Sequence, residues 1–150
     1  MPVLIQVPVK IYWGTPGGSC DPTTPSDAAL EVLIISGPKA TPTLTHVNLD
    51  GCAARRADNN FTQPQAGGTV NNTTFAHSYS QAVTNGLIIR IVPLYTSAIV
   101  GVSGIGSNLP PQGQNVSATG SYGGTSRKIT VFKGYPKLPV EFFSYLFFSH

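Results

Sequence analysis

Residues 112–135, QGQNVSATGSYGGTSRKITVFKGY, decide how the chain is read. Two short runs of small and branched residues flank Gly120-Ser121-Tyr122-Gly123-Gly124, a pattern that predicts a β-hairpin. Gly120, Gly123 and Gly124 can take the positive φ that a tight reversal needs. On the second run Arg127, Ile129, Val131 and Lys133 share one face, and Lys128, Thr130 and Phe132 share the other. The first face is apolar in the middle and charged at its ends, so it reads as a strand with a buried centre and wet tips. The rest of the chain is expected to form sheet and loops around this hairpin.

Working outward, β-branched runs punctuated by 13 prolines and 16 glycines favour strands throughout. Val7–Trp13 reads as an extended segment with Pro8 at an edge or bulge, because proline has no N–H for a ladder. Gly14–Asp27 is a loop. Ala28–Ser36 and Thr41–Leu49 are read as strands, the second alternating cleanly between its two faces. Asp50–Gln81 is polar, with a short strand expected near Thr73–Tyr79 and the remainder packed over the sheet. Gly86–Leu94 is the most hydrophobic strand, and Tyr95–Val102 is read as another after a bend at Pro93. Val140–His150, VEFFSYLFFSH, would be a sticky patch if left wet. Written as a strand, it sets Phe143, Tyr145 and Phe147 opposite Phe142, Leu146 and Phe148, and the first set is expected to mark an assembly surface. The fold class is therefore mainly β: an antiparallel sheet or two-layer β-sandwich with long loops and little helix.

One hundred and fifty residues suit a single domain, 1–150, able to bury a core without metals or many disulfides. Charged residues make up only 10% of the chain, well below the typical ~25%. With 41% apolar residues the chain is nevertheless no disordered tail. This neutral-polar composition points to an extracellular domain or a subunit of an assembly rather than a salt-laced cytosolic protein. Charge is uneven: residues 1–60 hold four Lys and Arg against five Asp and Glu, and residues 61–150 hold five against one. Arg127, Lys128, Lys133 and Lys137 gather on and just after the hairpin and form a candidate basic contact face for DNA. Tyr122 and Tyr135 beside them suit stacking on bases or sugars.

No catalytic set emerges. His46, His77 and His150 have no metal-ligand spacing, and five of the six carboxylates precede residue 60. Asp50 and Asp58-Asn59-Asn60 lack the alternation and closing glutamate of a calcium loop and read as an Asx-rich turn. GVSGIG (101–106) is followed by Pro110-Pro111 rather than a helix, which excludes a dinucleotide fingerprint. Cys20 and Cys52 each lie in a loop beside a predicted strand and are expected to form a disulfide, two buried thiols being the alternative. A bond there would contribute roughly 3–4 kcal/mol in the chain-entropy model.

The succession NGLIIRIVPLY (85–95), LPPQGQNVSATGSYGGTSRKITVFKGYP (109–136) and VEFFSYLFFS (140–149) resembles the C-terminal ends of PilX-type pilus-assembly proteins. These are minor-pilin-like proteins of bacterial type IV pili whose ends run as a strand, a glycine-containing hairpin and an aromatic final segment. The resemblance covers about residues 85–149, with an echo at DAALEVLIIS (27–36). It implies a soluble, extracytoplasmic, β-rich domain at the cell surface. It also implies no catalysis, no cofactor, and other filament subunits or pilus-assembly proteins as partners. A pilin begins with a prepilin leader and a long apolar helix, neither of which is in these residues, so membrane contact is expected only through a segment outside this chain. Many pilins also close a C-terminal loop by a disulfide, whereas both cysteines here precede residue 53.

Overall fold

The computed structural model describes residues 5–38, 40–106 and 108–134. The chain divides into two compact units, Met1–Pro110 and Pro111–His150. Among the described residues both are built from antiparallel strands, and the fold is mainly β with one short helix.

The first unit begins with β1 (Val9–Trp13), followed by the pair β2 (Ala29–Ser36) and β3 (Thr43–Leu49). Next come α1 (Ala53–Asn59) and the pair β4 (Gln65–Val70) and β5 (Thr73–Gln81), then β6 (Ile88–Leu94) and β7 (Val100–Gly104). A four-stranded sheet runs β4-β5-β1-β7 and a three-stranded sheet runs β3-β2-β6. Every pairing in them is antiparallel. Alternation sends Val9, Ile11 and Trp13 of the first sheet and Leu30, Val32 and Ile34 of the second into one shared core, which Leu49 and Val83 complete. The unit is therefore a two-layer, sandwich-like body. Pro93 lies on β6 at the sheet's edge, the position where a missing N–H costs least.

The polar stretch after residue 50 is more ordered than the sequence reading expected. β4 and β5 turn at Asn71-Asn72, with φ of 46° and 62° at the two residues. Two positive φ values suit the primed turn whose twist matches a hairpin, and asparagine tolerates them. Gly67 is required nearby, because a Cβ there would sit 1.9 Å from the Phe75 carbonyl oxygen. The strand expected over Tyr95–Val102 is displaced. Tyr95 takes a positive φ of 70°, the chain bends, and β7 starts only at Val100.

In the second unit β8 (Gly113–Tyr122) and β9 (Thr125–Gly134) form the expected hairpin, with Gly123 and Gly124 in the turn at φ of 56° and 82°. Val116 pairs with Val131, Ala118 with Ile129, Gln114 with Lys133 and Gly120 with Arg127, so these residues share a face as predicted. The predicted burial of that face does not hold: Ile129 is 61% and Val131 56% exposed. Nor is the chain organised around the hairpin: the first unit has its own core, between β1 and β2.

Candidate assembly surface

The three-stranded sheet has two apolar faces. Leu30, Val32 and Ile34 face the core, so Ala29, Glu31, Leu33 and Ile35 must face away from it. The strand register adds Leu44, His46 and Asn48 of β3 and Ile88, Arg90, Val92 and Leu94 of β6 to that outer face. Aliphatic side chains thus run across all three strands. Leu33 at the centre is buried, Leu44 is 47% exposed, and Ile35, Ile88, Val92 and Leu94 are half-buried. Among the polar members, Glu31 lies 3.1 Å from His46 Nε2 across β2 and β3. The Ala28–Ser36 run reads hydrophobic at almost every position because both faces of this strand carry aliphatics.

A buried polar node joins the two sheets beside the core. Asp27 precedes β2, and both its carboxylate oxygens lie 2.9 Å from His77 Nε2 on β5. Cys20 and Cys52 are joined by a disulfide with a Cα–Cα distance of 5.7 Å, which resolves the two sequence readings in favour of the bond. Asp50 is fully buried and accepts from Arg55 Nε at 2.9 Å, Arg55 Nη2 at 2.8 Å, the Cys52 amide at 2.8 Å and Asn59 Nδ2 at 3.0 Å. Burial pushes the Asp50 carboxyl up. The hydrogen bonds from Arg55, Cys52 and Asn59, together with the Arg55 charge, outweigh burial and hold it below the usual carboxylate value. Both Asp50 oxygens are thereby occupied by protein donors.

Sequence reasoning missed what Arg55 and Arg56 do on α1. Arg55 also donates to the Asp27 carbonyl at 2.8 Å and lies over the Tyr95 ring, 4.5 Å from its centroid. Arg56 donates to the carbonyls of Asp50 and Gly51 at 2.8 and 2.9 Å. The helix is a short clamp that folds two cations back onto the loop before it. The one available signal was an Arg-Arg pair three residues after a cysteine, too little to distinguish it from a solvated surface.

The hairpin carries its own candidate surface. Arg127 and Lys133 flank the Ile129–Val131 centre on one face, and Lys128 stands on the other, paired with Thr119. All are exposed, and Tyr122 beside the turn is 93% exposed. Lys137, Tyr135 and the aromatic residues Phe143, Tyr145 and Phe147 lie outside the described residues. Among the described residues no helix is long and apolar enough to cross a membrane.

No family model, no curated protein and no solved structure matches the chain.

Proposed function

We propose that the chain is a structural subunit of a cell-surface filament, located outside the cytoplasm, like the pilus-assembly proteins its C-terminal stretches resemble. The observation that carries this reading is the second apolar face of the β3-β2-β6 sheet. One face of that sheet already makes the core, so aliphatics on the other face serve contact with something else. A disulfide and a low-charge surface suit an oxidising, exposed setting. The test is immunogold labelling of source cells that carry either the parent chain or a Leu44→Glu, Ile88→Glu variant. The expected result is label on surface filaments for the parent and none for the variant, at equal cellular abundance. Label confined to the cytoplasm, or a variant that still decorates filaments, would sink the reading.

A second reading, a binding module for DNA or glycan, rests on the hairpin. Residues 113–134 contain Arg127, Lys128 and Lys133 and no carboxylate. If these three touch phosphates, log affinity for duplex DNA should fall against log salt with a slope of roughly −2 to −3, at about −0.9 per contact. Arg127→Gln with Lys133→Gln should reduce that slope by about two-thirds. Absence of retention at low salt, or the same slope in the variant, would show that the charges only solvate the strands.

A further inference from the structure

The node around the disulfide holds more chemistry than a crosslink uses. We infer that Cys20, Cys52, Asp27 and His77 form a latent site for zinc or a similar borderline-soft divalent cation, opened when the disulfide is reduced. This inference is independent of the filament reading.

One ligand atom from each of Cys20, Asp27 and Cys52 already lies within 4.8 Å of the other two. His77 Nε2 stands 2.9 Å from both Asp27 oxygens, and Cys52 Sγ is 3.5 Å from Asp27 Oδ2. Zinc takes sulfur at about 2.3 Å and nitrogen or oxygen at about 2.0–2.2 Å in a tetrahedron, which sets ligand edges of about 3.5 Å for S···O and about 3.4 Å for N···O. The S···O edge is therefore at its final length, and the N···O edge must open by about 0.5 Å. The sulfurs must part to about 3.8 Å, and with a Cα–Cα distance of 5.7 Å side-chain torsions can absorb that change.

The ligands are also held by contacts that do not pass through the disulfide. The Cys52 amide bonds Asp50 at 2.8 Å, and Arg55 bonds the Asp27 carbonyl at 2.8 Å. The His77 ring packs against Trp13 with centroids 5.5 Å apart. Gly51 gives the imidazole its room, since a Cβ there would sit 2.3 Å from His77 Nε2. Such fixing of ligand orientation by outer contacts is what metal sites require. Asp27 is 5% exposed and Cys52 1%, so deprotonated sulfurs beside that carboxylate would crowd three negative charges in a dry place, and a dication relieves the crowding.

The chemistry balances with a trialkylphosphine as reductant. The phosphine gives two electrons to the sulfur–sulfur bond and becomes a phosphine oxide. Water supplies the oxide's oxygen and one proton to each sulfur. The cation then displaces both thiol protons into solvent.

The experiment uses the full chain, oxidised and phosphine-reduced, with Co²⁺ as the spectroscopic probe and Zn²⁺ as competitor. Reduced protein should bind one Co²⁺ per chain with visible bands of tetrahedral cobalt and a sulfur-to-cobalt charge-transfer band, and Zn²⁺ should displace it. Oxidised protein should show neither. His77→Gln and Asp27→Asn should each weaken zinc binding by at least about tenfold. Because Asp27→Asn stands to perturb folding, X-ray absorption of the reduced parent loaded with zinc gives a second reading: two sulfurs at about 2.3 Å and two nitrogen or oxygen ligands at about 2.0–2.2 Å. The inference is overturned by no binding after reduction, by equal binding before it, by affinity unchanged in His77→Gln, or by a shell without sulfur or with sulfur alone.

Discussion

Trp13→Ala is expected to destabilise the first unit by about 3–5 kcal/mol, the range for truncating a large buried aromatic. Trp13 closes β1 with no exposed surface, between His77 of β5 and Val100 of β7. Its indole N–H donates to the Ala28 carbonyl at 2.9 Å, so one side chain both fills the core and ties the first sheet to the start of the second. Trp13→Phe separates the two contributions. It keeps most of the apolar volume, removes the donor and should cost about 1–3 kcal/mol for the carbonyl left unsatisfied. Urea unfolding followed by near-ultraviolet circular dichroism measures both. Equal losses in the two variants would mean that the hydrogen bond dominates, and a loss below about 1 kcal/mol in Trp13→Ala would deny the residue its central place.

Arg55→Met is expected to cost about 3–5 kcal/mol at pH 7, because it leaves the Asp50 carboxylate buried without its cation. This loss should depend on pH in a definite direction. The Asp50 carboxyl is held below its ordinary value in the folded protein, so it binds protons less readily there than when unfolded. Its stabilising contribution is complete above the unfolded carboxylate pKa of about 3.9 and drains away as pH falls through the lower folded value. The parent should therefore lose stability on the acid side, and the gap between parent and Arg55→Met should narrow toward pH 2. Urea midpoints at pH 7, 4 and 2.5 test this. A gap unchanged across that range would remove the ion pair as its cause.

Much of the sandwich could be read from residues alone, for physical reasons. β2 and β6 are dense in β-branched aliphatics, β3 carries β-branched Thr43, Thr45 and Val47, and glycine or proline stands near the ends of each, so propensity and punctuation agree. β4 and β5 were harder, because Gly67, Gly68 and a run of threonine, serine and alanine hide the alternation. Their readable mark was Asn71-Asn72, a turn signature rather than a strand signature. α1 has seven residues, about two turns, too few for a period of 3.6 to declare itself. Alternation correctly grouped Arg127, Ile129, Val131 and Lys133 on one face, but it carries no information about what lies against that face. Hence the register of the hairpin was legible and its exposure was not. The outer face of the β3-β2-β6 sheet was hidden for a related reason: a run apolar at nearly every position does not say which side is the core. The polar node was least visible, since Asp27, Asp50, Arg55 and His77 span fifty residues and only the two sheets bring them together.

The Cys20–Cys52 bond also has a mechanical meaning. It encloses the whole of β2 and β3 within a covalent loop of 32 residues' separation. A force applied at the two ends of the chain passes through the sulfurs and cannot stretch what lies between them. At about 3.3–3.6 Å per extended residue, roughly 100 Å of contour is withheld. The central strand of the three-stranded sheet thus stays out of the load path even if β1 and β5 are peeled apart. Under tension the protein would lengthen in a short, bounded step and keep a folded remnant from which to re-form. Reduction without a bound cation would return the withheld length, making the extensibility of the protein a property that thiol chemistry can set.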